Sequence, residues 1–242
     1  MSEPLQLPYV AFFGRTLNEY LLMFCLDMQY LKNKKILDCA SGPASFVAEG
    51  HRQGLEIIGC DPMFTKDPGQ MSKDAMKNLE SCFEIIEQHP NSLHYNDYDN
   101  FKKSKFDAFF QFEEDYKRNS KKGRYIAASL PALPFKDMEF DLVLGGNFLF
   151  AYAHHSAGGL YAGKEFDLDF HLSAVTEMAR VTKSELRLSP MGSFSPPSRP
   201  HDYRDAVMEC LQELGFTCTL QRSYFDSGLK GFNDVLIAKR KS

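Results

Sequence analysis

Apolar positions along this chain fall into two alternating rhythms. Unbroken runs at 35–39 (KILDC), 55–61 (LEIIGCD), 124–129 (RYIAAS), 140–146 (FDLVLGG) and 185–190 (ELRLSP) read as strands buried on both faces. Between them the apolar residues recur every three or four positions, which predicts helices over 44–54, 72–90, 165–183 and 201–216. Gly54, Pro90 and Gly215 supply stop signals for three of these. A further helix over 14–32 precedes the first strand, with Leu17, Tyr20, Leu21, Phe24 and Met28 at helical spacing. Thr16 followed by Glu19 forms a capping box at its start. Residues 217–225 and 232–240 read as a closing hairpin.

Strand and helix alternate at least four times before two strands come in succession. That order predicts a three-layer α/β/α, doubly wound fold, whose mostly parallel seven-stranded sheet carries one late antiparallel strand. The rhythm breaks at 91–124, an insertion with lysines clustered at 102–105 and 117–122. Its pattern allows a helix within roughly 104–119 or a mobile excursion; as a helix it presents a charged, solvated outer face and an apolar inner one.

At 242 residues the chain favours one large domain over two small ones. A net charge of −4 argues against a general nucleic-acid binder, and Glu113, Glu114 and Asp115 cancel much of the lysine charge beside them. Six scattered cysteines with no C-x-x-C pair fit free thiols in a reducing cytoplasm rather than a disulfide framework. The start (MSEPLQLPYVAFFGR) lacks the basic opening of a signal peptide, and LVLGGNFLFAYA (142–153) falls short of the ~20 apolar residues a membrane span needs.

Ligands of open parallel sheets bind beyond the carboxyl ends of the strands, where strand order reverses. The loop 39–43 lies at such an edge, and Ala40, Ser41 and Gly42 are small enough for a ligand to approach main-chain N–H donors. Asp61 ends the second strand, twenty-three residues after Asp38, where a carboxylate can accept both hydroxyls of a ribose. Tight turns favour small residues too, so this pair alone leaves a bare β–α turn open.

A third segment alters the balance. AASLPALPFKDMEFDLVLGGNFLF (127–150) combines Leu-Pro-Phe, an acidic turn and Phe-Asp-Leu-Val, and EMARVTKSELRLSP (177–190) follows. With ILDCASGPASF and IIGCDP, these segments resemble the class I, Rossmann-like S-adenosylmethionine-dependent methyltransferases from Lys34 to Arg240. The resemblance implies S-adenosyl-L-methionine as cofactor, with residues 1–33 as a helical cap over a methyltransferase domain at 34–242. Ala40, Ser41 and Gly42 would pack against its amino-acid and ribose portion. Asp61 would hold the ribose, with Pro62 and Met63 beside the adenine and Ser129 and Leu130 at the adenine edge. Gly146 and Asn147 would lie near the sulfonium. Arg15 and Tyr20 would fold over the cofactor, Arg15 on its carboxylate; a solvated arginine and a core tyrosine are the competing reading.

The chain departs from the family pattern at two places: alanine replaces two of the three loop glycines, and Ser129 stands where an aspartate commonly receives the adenine amino group. A small-molecule methyl acceptor is the expected partner, with a non-catalytic S-adenosylmethionine- or S-adenosylhomocysteine-binding regulatory or scaffold protein as the alternative. His155 is the candidate general base, against a solvent-facing polar loop. Gly158-x4-Gly163-Lys164 has phosphate-loop spacing but no following Ser or Thr, and reads as a flexible lid. His154, His155, Asp167, Asp169 and His171 can be imagined as metal ligands, but adjacent histidines point apart and acids at a helix start suit the dipole without metal.

Overall fold

In the computed structural model, which describes residues 5–89, 95–195, 199–228 and 233–241, the apolar runs become one sheet. Its strands are β1 (Lys35–Cys39), β2 (Glu56–Cys60), β3 (Tyr125–Ile126), β4 (Phe140–Gly146), β5 (Thr182–Ser189), β6 (Phe216–Arg222) and β7 (Asp234–Arg240). Across the sheet the order is β3-β2-β1-β4-β5-β7-β6. β1 through β5 pair in parallel, and β7 runs antiparallel to both β5 and β6. This is the doubly wound, mostly parallel α/β arrangement expected from the sequence, with one late antiparallel strand. Its order reverses at β1, which lies between β2 and β4.

Among the described residues seven α-helices accompany the sheet: α1 (Leu17–Met23), α2 (Met28–Leu31), α3 (Phe46–Arg52), α4 (Pro68–Gln88), α5 (Tyr98–Asn119), α6 (Leu168–Val181) and α7 (Arg204–Glu213). Successive strand residues point to opposite faces, so Ile36 and Leu142 join Phe46, Leu79 and Phe112 in one core. Leu37 and Val143 join Met178 and Leu211 in the other.

The N-terminal helix predicted over 14–32 divides in two, because Cys25 takes a left-handed φ of 51° and Asp27 caps a new helix by accepting from the Tyr30 N–H. The Thr16–Glu19 capping box forms as expected. α4 starts earlier than predicted, with Asp67 capping it and Pro68 at its first position. Its expected stop, Pro90, lies outside the described residues, as do residues 91–94 of the insertion, 196–198 of the Ser/Pro loop and Phe232 of the hairpin. Most of the rest of the insertion forms α5, 22 residues long where a shorter helix was predicted.

The two segments that looked most specific in the sequence meet in space. Glu177 accepts the Leu133 N–H at 2.7 Å, while Arg180 donates to the carbonyls of Phe135 at 2.9 Å and Leu133 at 3.2 Å. A carboxylate and a guanidinium one helical turn apart thus clamp the Leu-Pro-Phe chain before β4, satisfying main-chain groups that no strand pairs.

Candidate functional site

The site is built at the carboxyl ends of β1 and β2, which are in register so that Cys39 lies opposite Cys60. Just beyond, Ser41 N–H donates to the Cys60 carbonyl at 2.9 Å, and Gly42 N–H donates to Asp61 Oδ2 at 3.1 Å. Two of the N–H groups expected to face a ligand, those of Ser41 and Gly42, therefore tie the loop to the end of β2 instead. The other carboxylate oxygen, Oδ1, accepts the Met63 N–H at 2.9 Å and caps the turn 62–65. Each oxygen has taken one donor and keeps a further lone pair. Burial pushes the Asp61 carboxyl up to about 6, with the two N–H groups opposing the shift.

Gly42 has a φ of +55°, the one loop position that demands glycine. Alanine at 40 and 44 therefore costs the turn little.

Behind the loop, Tyr20 O–H donates to both oxygens of Asp38 at 2.9 Å, and its ring stacks on Phe46 with centroids 4.2 Å apart. Asp38 is fully buried, and burial raises its carboxyl to about 7. The same burial and the adjacent carboxylate hold the Tyr20 phenol well above its ordinary value, so it stays a donor.

A cavity of about 380 Å³ opens over this rim. Ala40, Ser41 and Gly42 line it from the β1 loop, and Asp61, Pro62 and Met63 from the end of β2. Ser129 and Leu130 line it from beyond β3, Gly146 and Asn147 from the end of β4, and Arg15 and Tyr20 from the N-terminal segment. Arg15 Nε and Ser41 Oγ are buried without a hydrogen-bond partner among the described residues. A buried guanidinium nitrogen and hydroxyl on a cavity wall fit a polar ligand that completes them. His155 does not line the cavity. It sits in a short turn, 155–157.

His154 and His155, expected to point apart, bring their ring centroids to 4.1 Å, and His171 stacks on His201 with centroids 6.2 Å apart. His171 is buried, with Nδ1 at 2.7 Å from the Asp167 carbonyl and Nε2 at 2.9 Å from the Leu149 carbonyl, a tie between α6 and the loop after β4. Among the described residues no group of three or more His, Cys, Asp and Glu side chains is placed to hold a metal ion. The segment expected to be a flexible lid is pinned: Leu160 N–H donates to the Ala151 carbonyl at 2.7 Å, and Leu160 accepts from Leu7 N–H at 2.7 Å.

No family model matches the sequence. Over 244 residues the chain is 30% identical to the uncharacterized protein MJ0045 of Methanocaldococcus jannaschii, across 98% of this chain and 99% of that one. The chain belongs to that protein's family. Among solved structures it is similar to magnesium protoporphyrin IX methyltransferase from Synechocystis PCC 6803 with bound SAM, at TM-score 0.48 and 14% identity over 93% of this chain and 78% of that one. It is similar too to PH0226 protein from Pyrococcus horikoshii OT3, at TM-score 0.47 and 14% identity over 88% and 85% of the two chains.

Three features of the site were not read from the sequence. Gly14 lets the N-terminal segment cross the β1 loop: a Cβ there would lie 2.2 Å from the Pro43 carbonyl oxygen. That crossing, with Ser45 N–H donating to the Arg15 carbonyl at 3.0 Å, sets Arg15 beside the loop. Second, Lys105 of α5 is fully buried and pairs with Glu19 at 2.6 Å, where the lysine cluster read as a solvated face. Burial pulls the Lys105 ammonium down to about 7, while Glu19, which burial alone would raise, is held below its usual range by that ammonium. Third, the segment before Gly14 roofs the cavity. Tyr152 brackets Ala11 with bonds to its N–H at 3.0 Å and its carbonyl at 3.1 Å, and Asn78 of α4 accepts the Phe12 N–H at 2.7 Å. Only the Gly-Arg pair before the capping box hinted at the first feature; the others join residues far apart in the chain.

Proposed function

We propose that this chain binds S-adenosylmethionine at the β1–β2 rim and transfers its methyl group to a small-molecule acceptor. The observation that carries the reading is Asp61: a buried carboxylate follows β2, touches the β1 loop, and lines a cavity with the other candidate cofactor-binding residues. Its remaining lone pairs suit the two hydroxyls of a ribose. Arg15, with its unpartnered Nε, suits the carboxylate of the amino-acid portion, and Ser41 Oγ is free to join it. Ser129 and Leu130 would border the adenine, with Pro62 and Met63 on its face, and Gly146 and Asn147 would border the sulfonium.

When bound, the cofactor supplies a methyl group already activated on a positive sulfur. The protein's own share is then orientation and exclusion of water, which a largely apolar cavity lined by residues of the 5–13 segment serves. Tyr20, whose hydroxyl is held by Asp38 and whose ring stacks on Phe46, gives the cavity a fixed wall beside the β1 loop. Asn147 is fixed by donating its Nδ2 to Met23 Sδ at 3.0 Å. With His155 off the cavity wall, we assign it no proton transfer.

Calorimetric titration with S-adenosylhomocysteine tests the cofactor, and release of S-adenosylhomocysteine from S-adenosylmethionine on incubation with a metabolite extract tests the transfer. Binding without turnover would favour a cofactor-binding regulatory protein.

A further inference from the structure

The cavity is chemically two-sided. Among the described residues its charged side chains, Arg15 and Asp61, belong to the β1–β2 side of the strand reversal and the segment pinned to the β1 loop. The β4 side and its roof are lined by Leu7, Val10, Phe148, Leu160, Phe166 and Phe194. These belong to three elements that close on one another: residues 5–13, the loop following β4, and the loop following β5. Of the polar side chains beside them, Tyr152 bonds the Ala11 main chain, Asn78 of α4 accepts from Phe12, and Asn147 donates to Met23 Sδ. No side chain of that wall carries a free charge, and the nearby His155 does not reach it.

Building on the proposed cofactor site, we infer that the β4 side is the acceptor chamber and takes an uncharged, flat, largely hydrocarbon molecule. A charged group entering this wall would lose its hydration with no counter-ion or hydrogen bond to replace it. A flat apolar molecule gains both burial and edge or face contacts with the three phenylalanine rings. Phe148 and Phe166 already pack edge to face, with centroids 5.3 Å apart, and leave ring faces to line the chamber.

The test is a pair of fluorescent probes, neutral N-phenyl-1-naphthylamine and anionic 8-anilino-1-naphthalenesulfonate, titrated into the full chain with and without saturating S-adenosylhomocysteine. The neutral probe is expected to bind at one site per chain, more tightly than the anionic one by about tenfold or more, from the unreplaced hydration of the sulfonate. It should remain bound when S-adenosylhomocysteine is added. Phe166→Asp, at a half-buried position, should weaken the neutral probe by about tenfold and leave S-adenosylhomocysteine affinity unchanged. Leu7→Asn provides a second variant should the first fold poorly, with the same expected pattern. Equal affinity for both probes, displacement of the neutral probe by S-adenosylhomocysteine, or no effect of either variant would overturn the inference. Failure of S-adenosylhomocysteine to bind while the neutral probe binds and responds to the variants would instead fault the proposed cofactor.

Discussion

Asp61 Oδ2 and the Gly42 nitrogen lie 3.1 Å apart, so the acid that ends β2 holds the turn that follows β1. One side chain thereby organises the loop while lining the cavity. If the carboxylate must be ionised to accept ribose hydroxyls, binding depends on pH. Burial places the Asp61 carboxyl near 6, above its ordinary value, so protonation removes acceptor capacity as the pH falls through that value. S-adenosylhomocysteine affinity, followed by calorimetry between pH 5 and pH 8, is expected to be constant in the upper half and to weaken below pH about 6.

Asp38 makes a prediction about stability rather than binding. Its folded carboxyl titrates near 7 against an ordinary 3.8, because burial disfavours the charge. The folded state therefore holds a proton that the unfolded state has released. The stability this confers is full below pH 3.8 and is lost as the pH rises through about 7. Asp38→Asn keeps an acceptor for Tyr20 but cannot titrate. Urea unfolding across that range should show a shallower fall in stability for the variant than for the parent chain.

Two glycines should fail for different reasons. Gly14→Ala drives a methyl against the Pro43 carbonyl, which is backbone and cannot swing aside; a loss of roughly 1–3 kcal/mol is expected, as for other overpacked sites. In Gly42→Ala the nearest atoms beyond the adjoining residues are those of the Phe12 ring at 3.7 Å, so space is not limiting. There the left-handed backbone alone opposes the change, at a cost of about 1–2 kcal/mol. Denaturant midpoints separate the two, and S-adenosylhomocysteine titration should show Gly14→Ala also weakening the ligand through Arg15.

The buried pair of Lys105 and Glu19 links the insertion to the N-terminal segment. Lys105→Met leaves a carboxylate in an apolar setting, and Glu19→Gln leaves an ammonium. Each single change should cost about 3–5 kcal/mol, and the double change distinctly less than their sum. A double-mutant cycle by urea unfolding measures this directly.

Much of the fold was legible because strand and helix periods differ and the buried strands of a parallel sheet form continuous apolar runs. KILDC and FDLVLGG needed no tertiary information to be placed. The N-terminal helix was misread as continuous because the break at Cys25 is a backbone event, a positive φ on a residue with no special turn preference. α5 was read too short because its first turns contain the lysines of a charged cluster, one of which is buried by a partner 86 positions earlier. At the site, Ala40, Gly42 and Asp61 were visible as small residues and an acid at strand ends. The engagement of the loop N–H groups by β2 was not, since a sequence shows which donors exist but not which acceptor claims them. The roof over the cavity escaped for the same reason: Ala11, Asn78 and Tyr152 meet only in the fold.

The most direct measurement is calorimetric titration of the parent chain and Asp61→Asn with S-adenosylhomocysteine at pH 8, where the parent carboxylate is ionised. The account predicts one site per chain in the parent and affinity reduced by roughly ten- to a hundredfold in the variant, the loss expected for one or two hydrogen bonds to a charged acceptor. No binding to the parent chain, or equal affinity in the two proteins, would contradict it.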